Sequence, residues 1–207
     1  MSSMKTDYVT PSVEIEEKKI IKFRNDSPDI LYACFSTFHD SPFISILTND
    51  RGKIIDQREY RSVEQAYQFS RYFKNPTTQL EKEKTLEILN KIMDEESSTQ
   101  IRKIGEEGNK RDYRSNSLLG TGQRPGWEDR ILDSKTKEKS LIPFKYFILF
   151  QHLYQKFSQD TEALNVLKST GKDEIIEVSK DEMLGSGKTG RGQNLHGRFL
   201  MLIRETL

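Results

Sequence analysis

The sequence predicts an α+β fold, mostly helical, with a small β-sheet near the N-terminal half. Three observations lead there. Two β-rich runs, Phe43 to Thr48 and Lys53 to Gln57, flank an Asn-Asp-Arg-Gly cluster of the hairpin kind. Several longer segments repeat apolar residues at helical spacing between clear starts and stops. The most apolar run, Leu141 to Phe157, has the length of a core helix. With 207 residues, 34% hydrophobic and 31% charged, the chain suits a single polar domain with a modest core.

Taken in order, residues 1–18 mix polar and charged types with Pro11 and read as a flexible arm. The domain is expected from 19 to 207. Lys19 to Arg24 is expected as a short strand, followed by a Ser27-Pro28-Asp29 turn and then the hairpin. Ser62 is a plausible N-cap for a helix that Asn75-Pro76 stops. On that helix Val63, Ala66, Tyr67, Phe69, Ser70 and Phe73 share one broad face. Glu64, Gln68 and Arg71 gather beside it in an arc of roughly 60°. They are either a solvated flank or an acid, an amide and a guanidinium lined up at the border of a site.

Thr77 to Glu95 is expected as a charged amphipathic helix, with Leu80, Leu86, Leu89, Ile92 and Met93 inward. A short helix from Ser98 to Gly105 follows. Residues 106–126 form a polar, glycine-bearing insertion whose basic residues include Lys110, Arg111, Arg114 and Arg124. It is either a phosphate- and base-contacting segment or a surface excursion. Trp127 to Leu132 is expected as a short helix. Leu141 to Phe157 is the core helix, with Pro143 in its first turn, and Thr161 to Lys168 the next. Ile175 to Val178 is a strand, and Leu195 to Thr206 a terminal helix.

Charge and composition narrow the function. The net charge of +1, from 33 basic and 32 acidic residues, gives no overall pull toward nucleic acid or membrane. No apolar run suits a bilayer span, and the first residues lack an apolar signal region. Cys34 alone cannot form an internal disulfide, which fits a reducing cytoplasm. His39, His152 and His196 are scattered without cysteine neighbours, so neither a metal nor a cofactor is expected.

The stretch from Asp181 to Arg204 is the densest in chemical signals. Five of the 12 glycines lie between Gly185 and Gly197. Such density allows either a tight chain reversal or a cradle of outward amide groups for an anion. Gly185–Thr189 looks like part of a phosphate loop, but Glu182 stands where that motif needs its first glycine, and more glycines follow where it needs a helix.

A different pattern fits. Thr170-Gly171, Ile176-Glu177, Asp181, Leu184-Gly185, Gly187, Gly190, Gly192, Asn194, Gly197, Leu200-Met201 and Arg204 follow one family signature. It runs from T-G through L-V-E and an Asp to W-G-x-G, G-x-N-x-L-G and L-M-x-x-R. Ser62-Val63-Glu64-Gln65-Ala66-Tyr67-Gln68 is similar to its T/S-V-E-H-x-Y-Q, and Ser36-Thr37-Phe38 to its S-N-F. From Lys19 to Leu207 the chain thus resembles the NADAR superfamily of YbiA-like proteins.

The resemblance implies a mostly helical α+β domain with N-glycosidase chemistry on a ribosyl-phosphate or ADP-ribose-containing small molecule, or on an ADP-ribosylated nucleic acid. It implies Glu64 and Asp181 as catalytic carboxylates. Ser36, Phe38, Gln68, Arg71, Trp127, Gly185, Gly187 and Asn194 would be ligand-binding. The chain departs from the pattern with Arg71 for a lysine, Thr37 for Asn, Gln65 for His and Leu184 for Trp. A guanidinium cannot serve as an imine-forming amine, so these changes point to an altered substrate or to a member that binds ADP-ribose- or NAD-like nucleotides without cleaving them.

Overall fold

The computed structural model describes residues 18–25, 31–48, 54–74, 77–108, 111–112, 117–118, 123–132 and 139–207. Side-chain caps set most helix starts. Ser62, Thr78, Ser97 and Asp160 accept hydrogen bonds from the N–H groups of Gln65, Glu81, Gln100 and Ala163. These open α1 (Val63–Tyr72), α2 (Gln79–Asp94), α3 (Ser98–Glu107) and α5 (Thr161–Ser169). Helix α4 (Phe144–Gln159) follows Pro143, and α6 (Leu195–Thr206) follows Asn194 in the left-handed conformation. With these six helices the fold is α+β and mostly helical.

The strands pair in twos. The hairpin β2 (Phe43–Thr48) with β3 (Ile54–Tyr60) is antiparallel, from Phe43 opposite Tyr60 to Thr48 opposite Ile54. Strand β1 (Ile20–Phe23) lies parallel to β8 (Glu174–Glu177), which ties the two ends of the domain together. Two short antiparallel pairs are β4 (Arg111–Asp112) with β5 (Ser117–Leu118), and β6 (Arg130–Leu132) with β7 (Lys139–Pro143). The small sheet expected near the N-terminal half is therefore the hairpin, while β1 finds its partner 154 residues later, across the whole domain.

Helix α1 lies at the centre. Val63, Ala66 and Phe69 are buried with Leu149, Leu153 and Phe157 of α4. His152 of α4 bridges Ser45 Oγ of β2 at 2.8 Å and Ser70 Oγ of α1 at 2.9 Å, so three elements share one buried polar link. Gln151, Gln155 and Gln159 repeat every four residues along α4 and face the edge of β2. Their amides bond the carbonyls of Ile44 and Ile46 and accept from both N–H groups, doing for that edge what another strand would do. Helix α3 runs parallel to α1, with Ser98 beside Ser62 at 3.1 Å and Gly105 beside Gln68 and Tyr72.

Three expectations need correction. Trp127 to Leu132 is not a helix. Turns closed by Trp127 N–H to Arg124 and Asp129 N–H to Gly126 lead into β6, with Gly126 at φ +78°. Leu141 and Ile142 belong to β7, and Pro143, extended at ψ 153°, is the N-cap of α4 rather than part of its first turn. Leu80 and Leu86 are exposed at 61% and 48%, because the buried stripe of α2 is Thr85, Ile88, Leu89 and Ile92. The arm before Lys18, the turns at 27–29 and 49–52, Asn75-Pro76, and residues 109–110, 113–116 and 119–122 of the 106–126 insertion lie outside the described residues. Among the described residues no helix is long and apolar enough to cross a membrane.

Candidate active site

Glu64 occupies the second position of α1 and is only 7% exposed. Its backbone N–H donates to the Thr37 carbonyl at 2.9 Å. The carboxylate receives two neutral donors: Gln68 Nε2 to Oε1 at 2.9 Å and Thr37 Oγ1 to Oε2 at 3.3 Å. Burial pushes its pKa up, opposed by the Gln68 hydrogen bond, the nearby charge of Arg102 and the Thr37 hydrogen bond. Among the described residues no cation bonds it directly. A buried carboxylate held by neutral donors keeps most of its charge available to a ligand. The solvated-flank alternative does not hold for Glu64 or for Gln68, which is also buried.

Gln68 lies one turn on from Glu64, and Gly105 of α3 is what admits it. A Cβ at Gly105 would collide with the Gln68 amide, whose Oε1 is buried without a hydrogen-bond partner. Tyr67, three residues after Glu64, packs its ring 5.1 Å from that of Trp127. Burial first, and then the charge of Glu64, raises the Tyr67 pKa. Tyr146 of α4 is pushed up to about 12 by burial, then by the charges of Asp181 and Glu128. Tyr146 adds to the rise at Tyr67. No hydrogen bond among the described residues joins Glu64 to Asp181.

The remaining expected residues divide. Ser36 Oγ donates to the Asn25 carbonyl at 2.9 Å and accepts from Phe38 N–H at 3.0 Å, shaping the loop that carries Thr37. Phe38 is half-buried and its carbonyl accepts from Ser98 of α3. Arg71, half-buried, donates from Nε to Gln123 Oε1 at 3.3 Å, and its charge lowers the Tyr67 pKa against the larger effect of burial. Trp127 is 2% exposed, enclosed by Leu47, Ile148 and Tyr67. Its ring is a wall behind Tyr67 rather than an open stacking surface, while Glu128, Asp129 and Arg130 that follow it are exposed.

The glycine stretch is largely self-satisfied. Asp181 is exposed, but its Oδ1 accepts from the N–H groups of Met183 and Leu184 at 2.8 Å each. The N–H groups of Gly185, Ser186, Lys188, Gly190, Gly192, Gln193 and Asn194 all donate within the loop or to β8. Gly187, at φ +70°, has no room for a Cβ beside the Glu182 carboxylate, so its absence of side chain serves the loop's own packing. Asn194 donates from Nδ2 to the Ile175 carbonyl at 2.8 Å and accepts at Oδ1 from Glu177 N–H at 3.0 Å. The amides of Gly185 and Asn194, expected to face a ligand, are thus spent inside the loop, and the Asn194 side chain is spent on β8.

Sequence reasoning placed Tyr67 on the buried face of α1, where it packs against the core, and it did not single out Tyr146. Among the described residues no group of three or more His, Cys, Asp or Glu side chains could hold a metal.

This geometry defines a small α+β domain whose helix α1 carries a buried carboxylate, Glu64, held by Thr37 and Gln68. The NADAR domain family model matches residues 22–207, and the chain belongs to the NADAR family. Its fold is similar to the NMR structure of the Escherichia coli protein YbiA, with a TM-score of 0.58 at 20% identity, over 92% of this chain and 86% of that one. A riboflavin biosynthesis protein of Vibrio vulnificus is 44% identical over 54 residues. That stretch is 26% of this chain and 15% of the relative, so the chain spans a small part of that protein's length.

Proposed function

We propose that the protein is an N-glycosidase hydrolysing the N-ribosyl bond of a phosphate-bearing ribosylated or ADP-ribosylated substrate. The observation that carries this reading is Glu64, a buried carboxylate held only by neutral donors, with Tyr67 close enough to feel its charge. When the C1′–N bond breaks, its electron pair leaves with the base and positive charge develops on the ribose. Desolvation raises the attraction of a carboxylate for a proton, and it raises the attraction for a developing oxocarbenium in the same way. Glu64 would face that cation. Water then adds at C1′ and releases a proton, which Asp181 would accept through its outer oxygen or pass to the departing base. Arg71 would hold phosphate or ribose oxygens at the end of α1. Family membership and the name of the Vibrio relative support a ribosylated substrate, including the riboflavin-pathway ribosylamine phosphate or an ADP-ribosyl guanine.

A second reading, nucleotide binding without cleavage, is favoured by the commitment of Asp181 Oδ1 to the loop and by the guanidinium at 71. A thermal-shift panel of NAD, ADP-ribose, ADP-ribosyl guanosine and the riboflavin-pathway ribosylamine phosphate, followed by product analysis, separates the two. Release of free base that disappears in Glu64→Gln supports the enzyme. Stabilisation without product, unchanged in Glu64→Gln, supports the binder, and no shift with any ribosylated compound removes both.

A further inference from the structure

Thr37 is gripped from three sides. Its carbonyl accepts from Glu64 N–H and its hydroxyl donates to Glu64 Oε2, while its own N–H donates to Asn25 Oδ1 at 3.2 Å. Asn25, at the end of β1, also receives Ser36 Oγ on its carbonyl and donates from Nδ2 to Glu177 Oε1 at 3.0 Å. Glu177, at the end of β8, lies 3.3 Å from His196 Nδ1 of α6 through its other oxygen, and its N–H is held by Asn194. Glu177 and His196 are both buried, and the His196 ring packs edge-on against Phe23 at 5.0 Å. Five elements of very different sequence position thus meet in one continuous hydrogen-bonded path that ends on the Glu64 carboxylate.

A buried carboxylate such as Glu177 is costly to desolvate, and a core needs a reason to hold one. Packing alone does not need it, because β1 and β8 already pair through their backbones. What Glu177 adds is a fixed acceptor for the Asn25 amide. With Nδ2 anchored there, Oδ1 of Asn25 can point only at Thr37, and Thr37 can then present its hydroxyl to Glu64. We infer that Asn25, anchored by Glu177 and His196, is a positioning residue for Glu64: it orients Thr37 so that its hydroxyl donates to the Glu64 carboxylate. This assigns a task in the site to the parallel β1–β8 pair, which otherwise only closes the fold. It rests on Glu64 being the working carboxylate.

The test reads the Glu64 carboxyl directly. In protein carrying ¹³C-labelled glutamate, the Glu64 side-chain signal is identified by its absence in Glu64→Gln and followed against pH. The groups whose charge reaches Glu64 are Arg102 and Glu106 of α3, and both stay unchanged in every variant. Thr37→Val removes the donor and should raise the Glu64 titration midpoint by roughly half to one pH unit, since a hydrogen bond to the ionised form favours it. Asn25→Ala should raise it by a similar amount, and should add nothing further in the Thr37→Val background. Protection of the Thr37 amide from hydrogen exchange should fall in Asn25→Ala, and also in Asn25→Asp, which keeps an oxygen but replaces the amide donor held by Glu177 with a second carboxylate. Should Asn25→Ala not fold, Asn25→Ser provides the same comparison with a smaller truncation. A midpoint that moves in Thr37→Val but not in the Asn25 variant, or an Asn25 effect that survives without the Thr37 hydroxyl, overturns the inference. Coupled midpoints in a protein that releases no base from any ribosylated substrate leave the positioning network standing and refute the N-glycosidase reading instead.

Discussion

At the scale of single residues, the contrast between Glu64 and Asp181 is the most informative. Both are acids in family-like motifs, yet one is buried between neutral donors and the other is exposed and caps a turn. Glu64→Gln preserves shape and hydrogen-bonding capacity while removing charge, so turnover of the cleaved substrate should fall by at least ~100-fold with little change in melting temperature. Arg71→Ala should leave kcat within about tenfold and raise KM, since a guanidinium at the end of α1 can hold an anion but cannot act as an amine nucleophile. A collapse of kcat in steady-state kinetics would place Arg71 in the chemistry after all. The sequence pointed to Glu64 and Gln68 through their shared arc on α1. It could not show that Trp127 lies behind Tyr67, because that depends on the direction in which the 127–132 segment turns.

At the scale of elements, two contacts set the geometry of α1. Gly105 lets α3 approach closely enough for its backbone to touch the Gln68 amide. Gly105→Ala should therefore push Gln68 off Glu64. A loss of about 1–3 kcal/mol in chemical denaturation, with reduced turnover, is expected from overpacking. The glutamine row of α4 is the second contact. Gln155 takes part in bonds to Ser45 Oγ and to both backbone groups of Ile46, so Gln155→Ala leaves a partly buried strand edge unpaired. Its expected penalty is about 1–3 kcal/mol, again by denaturant titration. Apart from the 127–132 segment, the helices were legible from periodicity and, at α1, from the Ser62 cap, and α6 begins and ends where the sequence predicts. Leu80 and Leu86 misled because leucine at helical spacing does not say which of two phases faces the core. The stripe through Ile88 and Ile92 became the buried one when α2 docked on α1.

For the whole molecule, buried polar groups tie the layers and make stability depend on pH. Desolvation lowers the His152 pKa to about 3, below its usual 6.5. The unfolded chain therefore binds the extra proton over that interval. Stability from the neutral ring is complete above pH 6.5 and is lost as pH falls toward 3. The loss should reach roughly 5 kcal/mol, and should be absent from the pH profile of His152→Gln measured against wild type. Lys156 follows the same logic at higher pH. Burial lowers it to about 8, and its Nζ donates to the Cys34 carbonyl at 2.7 Å.

What the sequence determined by itself was local: helix starts, the hairpin, the α+β class and the family, all of which depend on neighbours within a few turns. Residue chemistry at motif spacing also singled out Glu64. Only the tertiary structure decided which groups face a ligand and which are already taken. The glycine loop spent most of its amides on itself, Asn194 closed on β8, and β1 crossed the domain to pair with β8. The β1–β8 pairing joins residues more than a hundred positions apart, and in all three outcomes burial and hydrogen-bond satisfaction, rather than local preference, choose the partner.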